Sequence, residues 1–239
     1  MRTEKIIGIL LILGSVGVFV PYTILTIIFD YPDILRQDAG IVLSKFHSGG
    51  SALIFCWFAF AIFGLPVLGA YVLLGQKLER KLSFVRLATV LGIISVIVQI
   101  VGLLRWVFVV PVLANDFVTA TNETTRETTK IVFQTLHQFG GVLLGEHLGQ
   151  LFTIAWTIMI AAAFDKLHLF SKWIIWFGYI SAVIYFLAQA ELFATVIPNF
   201  PVWNLAGLIG STMWLLWLII IGIKFLKVKI AGNDPEEKR

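Results

Sequence analysis

Residues Ile6–Phe29 read IIGILLILGSVGVFVPYTILTIIF, twenty-four positions without one charged side chain. As a helix this stretch rises about 36 Å at 1.5 Å per residue. That exceeds the roughly 30 Å of hydrocarbon in a bilayer. It follows Met-Arg-Thr-Glu-Lys, is too long for a signal-peptide core and lacks a small-x-small cleavage site, so it reads as a retained first span. Five more runs of similar character follow: 51–74, 87–113, 142–164, 173–197 and 203–225. Pro21 and Pro66 fall inside the first two, where neighbouring helices can satisfy the backbone groups they free. The expected fold is all-α, a single domain over 1–239 built as a bundle of six transmembrane helices.

Composition agrees with this. The chain is 59% hydrophobic and 13% charged with a mean hydropathy of +0.92, against about 25% charged for a soluble domain. The net charge of +4 sets orientation before it sets partners. No basic stripe interleaved with aromatics lies outside the spans, so the expected partner is the lipid bilayer and not nucleic acid. The single cysteine, Cys56, sits in an apolar run and reads as a small buried residue.

Lys and Arg outside the spans divide unevenly. One side holds Arg2, Lys5, Lys77, Arg80, Lys81, Arg86, Lys166, Lys172, Lys224, Lys227, Lys229, Lys238 and Arg239; the other holds Arg36, Lys45, Arg126 and Lys130. Thirteen against four predicts both termini inside and an even number of spans. The outer connections carry Asp30, Asp33 and Asp38, then Asp116, Glu123 and Glu127. Within the outer segment Asn115–Leu136, the recurrence of Ile131, Val132, Leu136 and Phe139 predicts a surface helix.

Ionisable residues inside spans are costly, and each needs a partner or a purpose. Arg105 lies in the third span, Glu146 and His147 near the start of the fourth, Glu191 late in the fifth, while His47 and His137 border the second and fourth. With this topology Arg105, Glu146 and Glu191 all fall within roughly 12 Å of the outer boundary. Three helices thus contribute charge to one slab. Arg105 can neutralise one of the two glutamates; the other must be protonated, paired with a charged histidine, or bound to a cation.

Three readings compete for this slab. The first is an Arg–Glu clamp that only fixes helix packing. The second is a transition-metal or haem site, with a redox role as one version, using His47, His137, His147, Glu146 and Glu191. Its weakness is spacing: no His-x3-His or Glu-x-x-His pair shares a helical face, and Glu146 and His147 point about 100° apart. The third is a pocket or proton relay for a small molecule entering from outside, as in a small-solute transporter or sensor. Whether the protein is an enzyme is left open. Gly141, Gly145 and Gly149, spaced four apart, predict close approach of a neighbouring helix. Glu146 and Gln150 flank that face, which holds them against protein instead of lipid. Gln99 and Gln189 are expected to bond between helices.

Gly102-Leu-Leu-Arg-Trp-Val-Phe-Val-Val-Pro-Val-Leu-Ala114, Phe133-Gln-Thr-Leu-His-Gln-Phe-Gly-Gly141 and Gly145-Glu-His-Leu-Gly-Gln150 resemble a bacterial family of six-span membrane proteins known as a domain of unknown function, DUF4386. The resemblance covers nearly the whole chain. It implies the bacterial cytoplasmic (inner) membrane and brings no activity or catalytic residues with it.

Overall fold

The computed structural model describes residues 3–227; Arg2, Lys229, Lys238 and Arg239, which count toward the orientation, lie outside them. The fold is 85% helical, with no strand among the described residues and six helical stretches long and apolar enough to cross a membrane. The first span is one helix, α1 (Thr3–Phe29). The second is α2 (Ala39–Ile62) and α3 (Gly64–Leu78), and the third is α4 (Val85–Phe108) and α5 (Val110–Thr119). The fourth begins as α6 (Glu123–Leu136), continues as a π-helix over His137–Leu148, and ends as α7 (Gly149–Lys166). The fifth is α8 (Lys172–Leu187) with the short α9 (Gln189–Ala194), and the sixth is α10 (Ala206–Lys227).

Several stretches outrun their apolar runs. The second span starts at Ala39 and the fourth at Glu123, because hydropathy marks the lipid-facing part of a helix and not its ends. The expected surface helix at 123–136 is therefore the opening of the fourth span. Asn122 starts it, its side chain accepting a bond from the Thr125 N–H at 2.8 Å, a normal N-cap arrangement. Within α2, Gly50 adopts φ 57, ψ −152, a conformation open to glycine alone. The second span bends there, and His47 is exposed on the arm that precedes the bend.

Each span packs on the next one in sequence, and the sixth packs on the first. The result is a closed ring of six. Its half nearer Thr3 and Lys227 is filled. Tyr71 of span two stacks on Trp156 of span four at 3.8 Å, and Trp156 meets Trp217 of span six edge-on at 6.1 Å. Three alternate helices thus send aromatic rings to the centre, and the Trp217 N–H donates to the Ile174 carbonyl at 2.8 Å. The opposite half, here the loop end, is packed on one side only. Phe29, Trp57 and Trp106 form an aromatic wall across spans one to three, with the two indoles stacked at 4.8 Å. Opposite that wall the ring stays open.

Candidate functional site

A cavity of about 470 Å³ occupies the open half. Arg36, Arg105, Glu146, Gln150 and Glu191 all line it, with Tyr22, Tyr31, Trp57 and Tyr185 among the aromatics. A larger depression of about 1400 Å³ lies at the loop end, bounded by the π-helix, α9 and the Pro32–Gln37 connection. His137 and Gln138 line it, beside the exposed apolar side chains Phe139, Leu143 and Val196.

The residue that organises the site is Arg36, which the sequence places among outer loop cations. Asp30 ends α1 in the left-handed region, at φ 54, and a 3₁₀ turn follows over Asp33–Arg36. Ile34 and Leu35 are buried in the loop-end core, which turns the connection back over the ring. The Arg36 guanidinium donates from Nη2 to Glu146 Oε2 at 2.9 Å and from Nε to Glu191 Oε1 at 3.1 Å. One cation in a loop therefore bridges the fourth and fifth spans. Burial pulls its pKa down, but the Glu146 and Glu191 carboxylates outweigh that and hold it above the ordinary value. Burial, and then Glu146, push the neighbouring Tyr31 phenol up, so it stays neutral.

Arg105 does not make the expected ion pair. It donates to the Gly102 carbonyl, its Nη2 lies 3.4 Å from His137 Nδ1, and its guanidinium sits over the Trp106 ring at 5.1 Å. The charge balance changes accordingly. Arg36 and Arg105 supply two positive charges against Glu146 and Glu191, so the slab needs no protonated carboxyl or bound cation to reach neutrality.

The π-helix accounts for much of this geometry. Its bonds reach five residues back instead of four, giving a wider turn of a kind frequent at functional sites. Gly141 lies against the Arg105 guanidinium, Gly145 against Gly102 and Gly149 against the Gln99 side chain. All three glycines face the third span. Glu146 is presented to Arg36, while the adjacent His147 turns to the fifth span, its Nδ1 2.7 Å from Gln189 Oε1. Gln189 in turn donates to Gln150 Oε1 at 2.7 Å, and Gln99 donates to Thr153 Oγ1 at 3.1 Å. These bonds stitch the third, fourth and fifth spans together beside the cavity.

The donors of a metal or haem site do not come together. Among the described residues no group of three His, Cys, Asp or Glu side chains could hold a metal ion. His47 is exposed on α2, His147 is bound to Gln189, and of the three candidate histidines only His137 lines either cavity. These candidate side chains are therefore not gathered as the ligands of a metal ion.

The two cavities share Pro32, Asp33, Leu35, Arg36, Glu191 and Asn204 in their walls. The Arg36–Glu191 pair thus stands between the loop-end depression and the interior. The family described as Domain of unknown function (DUF4386) matches residues 6–222, and the chain belongs to that family. No curated protein and no solved structure matches it.

Proposed function

We propose that this DUF4386-family membrane protein binds a small organic molecule in the cavity between its six spans. The molecule enters from the loop end past Arg36, and the protein works as a small-solute transporter or sensor. What supports this reading is one observation: the Arg36–Glu191 pair lines both the cavity between the spans and the depression at the loop end. A cavity of about 470 Å³ falls in the range of roughly 300–1,000 Å³ typical of small-molecule sites. Two ion pairs on one guanidinium make a contact that can open without unfolding a helix. The apolar rim of the depression, with Phe139, Leu143 and Val196, suits a molecule that arrives partly dissolved in lipid.

The test is chemical access. Ser211 lines the cavity, and Ser211→Cys in a Cys56→Ser background places one thiol there. A small charged thiosulfonate should label it from the loop end and not from the terminal end. Absence of labelling from either side would sink the reading. The same ion pairs also favour a purely structural role, tying the Tyr31–Gln37 connection to spans four and five. That role gains if Glu146→Gln and Glu191→Gln both lower thermal stability sharply while the Ser211→Cys thiol stays unlabelled.

The membrane we assign is the bacterial cytoplasmic membrane, with both termini inside and the loop end outside. A reporter fused after Arg239 that is active only outside the cytoplasm should stay inactive; an active fusion would reverse the assignment.

A further inference from the structure

The cavity is two-sided. Its charged lining groups come from one arc of the ring: Asp33 and Arg36 on the connection, then Arg105, Glu146 and Glu191 on spans three, four and five. Among the described residues, the other arc, spans six, one and two, adds no charged side chain to the lining.

The uncharged arc is also where the cavity opens sideways. Most of its apolar lining is buried, Trp57, Phe60, Val67 and Leu215 included. Three apolar lining residues are instead about half exposed: Phe19 at 46%, Leu205 at 53% and Leu208 at 49%. Phe19 is on span one, and the two leucines are at the start of span six, its neighbour in the ring. Nearer the terminal end these two helices are tightly joined, since a Cβ on Gly8 would lie 2.7 Å from the Gly222 carbonyl oxygen. Phe19 is eleven residues further along α1 and Leu208 fourteen back along α10, about 16 and 21 Å closer to the loop end. The other borders of the cavity are held at its own depth. Gly102 meets Gly145, Gly210 meets Tyr185, Gly17 meets Phe63, Trp57 stacks on Trp106, and Gln189 bonds Gln150. The seam between spans one and six is thus pinned at one end, and at the other it is lined by exposed apolar side chains. In a bilayer such a surface meets acyl chains.

We propose that the ligand is a lipid-like amphiphile that enters sideways from the bilayer through the seam between spans one and six. Its polar head lies at the Arg36–Glu146–Glu191 cluster, where hydrogen bonds offset the loss of water, and its apolar chain lies back in the seam, where none are needed. This rests on the binding-cavity reading above but not on its loop-end entrance.

The test uses full-length Ser211→Cys protein, in the Cys56→Ser background, in liposomes doped with a phospholipid whose head carries a maleimide. The thiol should react, read as a mass shift. Leu208→Trp narrows the seam from span six and Phe19→Trp from span one. Each should slow the lipid-linked reaction at least fivefold and leave thiosulfonate labelling from the loop end within twofold. Leu216→Trp, on span six but outside the cavity lining, should change neither. Lysophosphatidylcholine should slow the lipid-linked reaction, and glycerophosphocholine, the same head without a chain, should not. Seam variants that slow both reagents equally, or neither, overturn the sideways route. Competition by both compounds, or by neither, overturns the amphiphile. A thiol reached by thiosulfonate but not by the lipid-linked maleimide sinks this inference alone. One reached only by the maleimide supports it and sinks the loop-end entrance, and one reached by neither sinks both.

Discussion

Arg36→Ala should lower thermal stability and speed labelling of the Ser211→Cys thiol at least tenfold. Among the described residues, Arg36 is the one cation bonded to both Glu146 and Glu191. Removing one partner of a buried ion pair costs about 3–5 kcal/mol, because the remaining charge is stranded. Here the side chains are 28%, 20% and 37% exposed, and water screens part of that penalty. A loss of about 1–3 kcal/mol is the expectation for this partly exposed cluster. Arg36→Lys should recover only part of it, since an ammonium cannot present the two-pronged geometry that holds carboxylates from two helices. Adding Glu191→Gln to Arg36→Ala should restore stability relative to Arg36→Ala alone, because it removes one of the two stranded charges. Stability and access are separate readouts. A stable Arg36→Ala protein with unchanged labelling would show that the pair is not a barrier.

Gly102→Leu should be among the most damaging single changes in the membrane interior, together with substitution of Gly210, whose Cβ would lie 2.5 Å from the Tyr185 Cα. A Cβ at Gly102 would lie 2.7 Å from the Gly145 Cα and 2.9 Å from the Gly140 carbonyl oxygen. Both are backbone atoms, so no side-chain rotation relieves the clash, and spans three and four must separate. Overpacking costs about 1–3 kcal/mol in many cores and sometimes more. Gly102→Ala should fall in that range, and Gly102→Leu should exceed it or abolish folding. Helix association in a bilayer depends on close van der Waals packing because lipid is as apolar as the side chains. That makes this contact hard to replace. Gly207→Ala is the matched control, since its Cβ would meet only the Ala188 Cβ at 3.8 Å. It should be neutral or slightly stabilising, as alanine favours helix over glycine by about 1 kcal/mol. Thermal denaturation in detergent ranks all three.

The spans were legible because bilayer thickness imposes a length and a composition that a sequence must obey. The gathering of Arg105, Glu146 and Glu191 around one cavity was legible too, since relative depth follows from counting residues along helices that alternate in direction. Arg36 was not. Orientation counting treats every loop cation alike, and nothing in that count says that a loop folds back. A signal was present in Ile34-Leu35, an apolar pair beside an arginine in a short acidic connection, because such a pair has to be buried somewhere. The π-helix left no trace that could be read. Gly141, Gly145 and Gly149 suit an α-helix with a small-residue face equally well, and in the structure they lie against Arg105, Gly102 and Gln99. With the fourth span drawn as α-helix and Arg36 left outside, pairing Arg105 with a glutamate was the natural assignment. The structure gives that role to the loop arginine instead.

The aromatic centre formed by Tyr71, Trp156 and Trp217 bears on how the protein meets an electric field. Where water reaches into a cavity from one side, the membrane's insulating layer thins to what remains. The voltage then falls mainly across the ring-filled half, at about 2.3 kcal/mol per elementary charge for each 100 mV crossed in full. Arg36, Glu146 and Glu191 lie on the other side of that layer. They share the potential of the loop-end solution, so ligand occupancy there should be nearly indifferent to the voltage. Voltage dependence would arise only in a step that carries charge past the Tyr71–Trp156 stack.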